Sequence, residues 1–214
     1  MATARAAIVP VTPFQQNCSL VWSDATKVGA VVDPGGDVDR IKAAIEQVGI
    51  TIEKILITHG HIDHAGGAAE LAEALGVPVE GPHRGDAPLL ATLPASGLAF
   101  GITGARALAP DRWLEEGDTV TVSDLTFSVL HCPGHSPGSV VLFNDANRFA
   151  LMGDVLFRGS VGRTDLPGGS HDQLIASIRD KVLPLGDDVA FICGHGPTST
   201  IGEERATNPF IAGA

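Results

Sequence analysis

The sequence predicts an α/β protein in which sheets pack together and helices cover the outside. Two observations lead there. Short apolar runs rich in β-branched residues, at 28–32, 54–57, 125–130, 140–143, 149–152 and 189–193, read as buried strands. Helical periodicity falls between them, so strands and helix fill one half of the chain and strands and helix recur in the other.

Taken in order, residues 6–12 and 18–22 have strand-like composition, and Pro10 and Pro13 are expected to break the first run. The strand at 28–32 closes on the turn signal Asp33-Pro34-Gly35-Gly36. Asp37 is then expected to cap a helix that presents Ile41, Ala44, Ile45 and Val48 on one face and ends at Gly49. The strand at 54–57 leads to a second helix over about 66–75, ended by Gly76, and then to a short edge strand at 77–79. Between Gly81 and Pro110 the pattern dissolves into Gly, Pro and Ala, with a short helix expected near 86–93; a flap over a site and a surface excursion both fit. Strands at 119–122 and 125–130 join through Ser123-Asp124, and those at 140–143 and 149–152 through Asn144–Asn147. A helix near 172–181 precedes the last strand.

The 214 residues suit one domain with a large core, and 44 % hydrophobic against 18 % charged residues is a folded composition. A formal charge of −11 argues against nucleic acid as a partner, because phosphate binding needs clustered Lys and Arg. No apolar run approaches the roughly 18 residues of a membrane span, and Arg5 interrupts the only apolar stretch near the N-terminus, so neither span nor signal peptide is expected. Cys18, Cys132 and Cys193 form an odd set without framework spacing, which suits a reducing, cytoplasmic setting. Oligomeric state is left open.

The stretch from Thr58 to Gly67 carries the chemistry. His59, His61, Asp63 and His64 lie within six residues at the end of an apolar strand. Imidazole and carboxylate suit zinc, iron or manganese, and without a metal such crowding beside an apolar strand would be costly. His135, Asp154 and His195 also follow apolar strands, each beside a glycine that lets the backbone turn. Seven candidate ligands, five His and two Asp, exceed what one tetrahedral ion takes and fit two divalent metals sharing a carboxylate. Zinc is the first expectation, with iron and manganese also compatible.

In this order the seven residues resemble the metallo-β-lactamase superfamily. The segments Gly153-Asp154-Val155-Leu156-Phe157, Gly162-Arg163-Thr164-Asp165 and Gly194-His195-Gly196-Pro197 are similar to those of the short bacterial hydroxyacylglutathione hydrolases, the type II glyoxalases. The resemblance implies a four-layer αββα sandwich with the site at one edge between the sheets. It implies that His59, His61 and His135 hold one metal, that Asp63, His64 and His195 hold the other, and that Asp154 bridges them. Longer glyoxalases hold glutathione with a further C-terminal helical domain; a chain ending at Ala214 is expected to lack it and, without tyrosine, to hold glutathione by other residues.

The chemistry expected is attack of a metal-bridging hydroxide on the carbonyl of a small-molecule thioester, a glutathione conjugate such as S-D-lactoylglutathione. A thiolate leaves without a proton, whereas an amide nitrogen needs a general acid that the ligand set does not spare. Asp63 is expected to orient or deprotonate the water as well as bind metal. Arg163 is expected either to pair with Asp165 or to meet an anionic substrate, and Asn17 to reach the cleft. Cys132 and Cys193 read as small buried groups, His131 as a neighbour of the metals or a structural histidine, and His83 and His171 as loop and helix-start residues. The alternatives are a persulfide dioxygenase with one iron on His59, His135 and Asp154, a lactone or phosphodiester hydrolase on the same centre, and a non-catalytic metal-binding module.

Overall fold

The computed structural model describes residues 2–211. Its first sheet is five-stranded, with β1 (Ala4–Val11), β2 (Gln16–Ser23), β3 (Val28–Val32), β4 (Thr51–Leu56) and β5 (Val79–Glu80) side by side in that order. β1 to β3 are antiparallel, and β3, β4 and β5 run parallel. Helices α1 (Val38–Val48), α2 (Ile62–Ala65), α3 (Ala68–Leu75), α4 (Ala87–Ala91) and α5 (Leu93–Phe100) accompany this half. The second sheet takes β6 (Thr119–Val122), β7 (Leu125–His131), β8 (Val140–Asn144) and β9 (Phe149–Gly153). A small hairpin, β10 (Leu156–Phe157) and β11 (Ser160–Val161), and helix α6 (His171–Ser177) follow. β12 (Ala190–Cys193), β13 (Ser199–Thr200) and α7 (Ile201–Thr207) are the last elements among the described residues, and the six-stranded order is β13-β12-β9-β8-β7-β6.

Three apolar cores define the layers. Val21, Val32, Leu56, Phe127, Leu142 and Leu151 fill the space between the sheets. Val31, Ile55 and Ile57 point the other way, onto Ile41, Ile45 and Leu71 of the first helix layer. Val141, Met152 and Phe191 likewise meet Leu174, Ile178 and Ile201 of the second. The arrangement is the expected αββα sandwich. It also explains the unbroken apolar runs in the sequence, since strands covered on both faces have no polar side.

Several elements differ from expectation for local reasons. Pro10 does not break β1, because β1 is an edge strand, where a missing N–H costs little. Asp37 sits at the start of α1 with a left-handed backbone and makes no side-chain cap; its carboxylate accepts instead from Thr12 N at 2.8 Å. The expected helix over 66–75 is α3, and the short α2 precedes it, separated at Gly66-Gly67, where the Gly67 N–H turns to Pro34 O at 2.8 Å. Residues 81–110 hold more helix than expected, α4 and α5, with Leu90 and Leu93 buried in the first helix-layer core. The segment is therefore packed, not a free excursion. α6 starts at His171, and the turns beyond it pass through a π-helical stretch at Ile178–Val182. No helix among the described residues is long and apolar enough to cross a membrane.

Leu56 is 1 % exposed between the sheets, whereas Leu98 on α5 is 88 % exposed. Leu56→Ala is expected to cost about 2–5 kcal/mol of unfolding free energy in urea titrations, and Leu98→Ala less than about 0.5 kcal/mol.

Candidate metal centre

Every expected ligand lies just beyond a strand end. His59 and His61 follow β4, Asp63 and His64 sit on α2, His135 follows β7, Asp154 follows β9 and His195 follows β12. β3 and β4 are parallel in one sheet, and β9 and β12 in the other, so their carboxyl ends open on one edge. Backbone hydrogen bonds join the sheets there: Asn17 N donates to Gly194 O at 2.7 Å and Val140 N to Thr58 O at 2.9 Å.

The seven side chains come together in two groups. His59, His61 and His135 bring ligand atoms within 4.8 Å of one another, and Asp63, His64 and His195 do the same. Asp154 stands between the groups. Its Oδ1 is 3.3 Å from His64 Nε2, and its Oδ2 is 3.6 Å from both His135 Nε2 and His195 Nε2. Gly194 makes room for it, since a Cβ there would lie 2.0 Å from Asp154 Oδ1.

Partners on the far side of three rings fix which nitrogen faces the centre. Thr58 Oγ1 donates to Asp33 Oδ2 at 2.6 Å, so it accepts from His59 Nδ1 at 3.2 Å and leaves His59 Nε2 as the free acceptor. His135 Nδ1 donates to Arg163 O at 2.8 Å. His64 Nδ1 donates to Asp33 Oδ2 at 2.9 Å; Gln16 Nε2, 3.4 Å from the same nitrogen, is the weaker neighbour. In each case the remaining Nε2 points inward.

The polar atoms that result fit divalent cations. His64 Nε2 and Asp154 Oδ1 are buried without a hydrogen-bond partner, for at 3.3 Å they lack the angles of a hydrogen bond to each other. His61 Nδ1 and His135 Nε2 face each other at 2.9 Å, and His135 Nε2 and His59 Nε2 at 3.2 Å. His59 Nε2 and His135 Nε2 are both acceptors in the neutral rings, His61 Nδ1 can donate only to His135, and leaving the other acceptor unsatisfied is costly. A cation held by these groups would remove that cost.

Charges follow the same division. Burial, reinforced by the neighbouring imidazoles, holds His59 well below the ordinary imidazole value and brings His61 down to about 4. Burial would also lower His64, but Asp154, Asp63 and Asp33 outweigh it and raise His64 well above that value. His195 is raised against its burial by its bond to Asp63. Burial would raise Asp63 and Asp154, yet the facing histidines hold both below the ordinary carboxylate value.

The remaining candidates are placed differently. Asn17 does not offer its amide to the cleft: Nδ2 donates to Cys193 O at 3.0 Å and Gly196 O at 2.8 Å, which ties the His195 turn to β2. Arg163 forms the local pair with Asp165, both bonds at 2.7 Å, on the surface. His131 is structural, stacked 3.8 Å from His83 and bonded to Pro137 O. Burial pushes Cys132 up to about 12 and Cys193 to about 11, as suits small buried groups.

Sequence reasoning missed two carboxylates. Asp33, read as part of a turn, accepts from Thr58 N, Thr58 Oγ1 and His64 Nδ1. Asp86 accepts from the turns that carry His59, His61 and His135. Asp33 ends a parallel strand, a position that could have marked it out; nothing in the local sequence marks Asp86.

Two triads of imidazole and carboxylate around a shared Asp define a metal-binding enzyme centre of the metallo-hydrolase type. The model of the metallo-beta-lactamase superfamily matches residues 11–195. The chain belongs to that superfamily. It is 44 % identical to hydroxyacylglutathione hydrolase GloC of Haemophilus influenzae, over 95 % of this chain and 96 % of that one. Among solved structures it is similar to the BLEG-1 B3 metallo-beta-lactamase, with a TM-score of 0.89 and 37 % identity over 97 % of this chain and 100 % of the other. It is also similar to TTHA1623 in a di-iron-bound form, with a TM-score of 0.86 and 39 % identity over 95 % and 99 %.

Asp33→Asn is expected to weaken metal binding about 10–100-fold in chelator competition while the circular dichroism stays unchanged. In the metal-free chain, the raised His64 and His195 contribute stability below about pH 6.5 that disappears as pH rises through their raised values. Metal takes neutral imidazole, so uptake at pH 7 is expected to release protons and affinity to rise with pH; calorimetry in buffers of different ionisation enthalpy reads the release.

Proposed function

We propose that the protein is a binuclear metal-dependent thioester hydrolase acting on hydroxyacylglutathione, cleaving S-D-lactoylglutathione to D-lactate and glutathione. The observation that carries this reading is the second ligand group, Asp63, His64 and His195, gathered around the inward face of Asp154. A single iron on His59, His135 and Asp154 would leave that group, with its unpartnered His64 Nε2, without a purpose. The 44 % identity to a hydroxyacylglutathione hydrolase along nearly the whole chain supports the choice of substrate.

His59, His61 and His135 would hold one divalent ion, Asp63, His64 and His195 the other, and Asp154 would touch both. Such ions supply an ionised water at neutral pH and polarise a carbonyl. The protein's own residues do the rest. Asp63, with a partly open side chain and Oδ2 3.1 Å from His195 Nε2, would accept a hydrogen bond from the attacking water and orient it. The leaving thiolate, of parent pKa about 8.5, departs unprotonated, so no general acid is required. An amide nitrogen would need a proton as it leaves, a demand that a thioester does not make. Zinc, iron and manganese all suit these ligands.

The test is one preparation with quantified metal and three assays: thioester absorbance with S-D-lactoylglutathione, oxygen uptake with glutathione persulfide, and cleavage of a β-lactam. Thioester loss at about two metals per chain, without oxygen uptake, is expected. Oxygen uptake at one iron per chain, or β-lactam cleavage without thioester cleavage, would overturn the reading. Asp154→Ala should lose metal and at least about 100-fold in turnover, beyond what the loss of a supporting hydrogen bond costs. An Asp63→Asn variant that keeps both metals and full turnover would remove the water-orienting role.

A further inference from the structure

Asp86 lies just before α4, fully buried, and its carboxylate is held by neutral donors alone. Oδ2 accepts from Gly60 N at 2.7 Å and from Ser136 Oγ at 2.8 Å, and Oδ1 accepts from Gly138 N at 2.6 Å. Gly60 is the residue between His59 and His61, and Ser136 follows His135. One carboxylate therefore ties together the two turns that carry the first ligand group. None of its bonds goes to Asp63, His64 or His195; the brace of His64 is Asp33, just after β3.

The packing around Asp86 leaves little slack. A Cβ on Gly60 would lie 2.9 Å from Leu89 Cβ and 3.1 Å from Asp86 Cβ, and a Cβ on Gly138 2.6 Å from Asp86 Cγ. Both turns are pressed onto the α4 entry, and the carboxylate sets how far apart they stand. Ligand nitrogens need placement within a few tenths of an ångström of their bonding distance, so the spacing of the two turns governs affinity.

The geometry points to Asp86 as a positioning residue that sets the affinity of the His59, His61 and His135 metal position separately from the other position. This rests on the two-ion reading above. Asp86→Asn keeps the shape but turns one acceptor oxygen into a donor. At least one of Gly60 N and Gly138 N then faces a donor, and the turns part.

The experiment is a Co(II) titration of the metal-free full-length chain followed by visible absorption. His61→Ala and His195→Ala, each leaving one ligand group intact, assign the bands. Asp86→Asn is expected to weaken the first position about 10–100-fold and to leave the second within about 2-fold, the range seen when a residue supporting a ligand is changed. Ser136→Ala, which removes one donor and little volume, should weaken the same position by less, and decides the matter if Asp86→Asn does not fold. A purely structural Asp86 would lower the melting temperature of the metal-free chain and keep the ratio of the two affinities constant. Equal weakening of both positions, or of neither, would overturn the inference. A wild type that binds one Co(II) would overturn the two-ion reading instead; Asp86 then stands if Asp86→Asn weakens that ion and falls if it does not.

Discussion

Asp154 enters the edge between the sheets with its carboxylate almost fully buried, its Oδ1 without a hydrogen-bond partner and both oxygens within 3.6 Å of imidazole nitrogens. A buried carboxylate costs several kcal/mol unless charge or hydrogen bonds offset it. In the metal-free chain, the raised proton affinities of His64 and His195 supply that offset. Divalent ions held by these residues would supply it more fully and would displace those protons. Much of the surrounding structure serves to hold these groups where the exchange can occur.

The fold meets that demand through strand direction. β3 and β4 deliver Asp33 and His59 to the edge, β7 and β9 deliver His135 and Asp154, and β12 delivers His195. The bonds from Asn17 N to Gly194 O and from Val140 N to Thr58 O fasten the sheets where the ligands meet. The three apolar cores lie behind this edge, so the positions of the histidines are set by strands packed on both faces. A site on such strands is stiffer than one on free loops.

The candidate ligands were legible because their chemistry is concentrated: four side chains of metal-ligating type within six residues have no ordinary structural use, and the three later ones each follow an apolar strand. The layers were legible because strands buried on both faces read as unbroken apolar runs. What was hidden acts through space. Asp33 looks like a turn residue until Thr58 and His64 are seen against it. Asp86 sits in a Gly- and Pro-rich stretch without periodicity, and its partners are 26, 50 and 52 residues away. Asn17 looked available for substrate because its two carbonyl acceptors lie 176 and 179 residues further on. α7 was missed although Thr200 and Glu203 have capping-box spacing, and the Thr200 hydroxyl does accept from Glu203 N. That signal was available.

The sharing of one carboxylate by two metal positions is tested most directly by anomalous diffraction from crystals of the metal-loaded protein, recorded at the absorption edge of the bound metal. Two peaks are expected, one bounded by His59, His61 and His135, the other by Asp63, His64 and His195, with Asp154 between them. A single peak, with Asp63, His64 and His195 bonded only to one another, would contradict the binuclear centre.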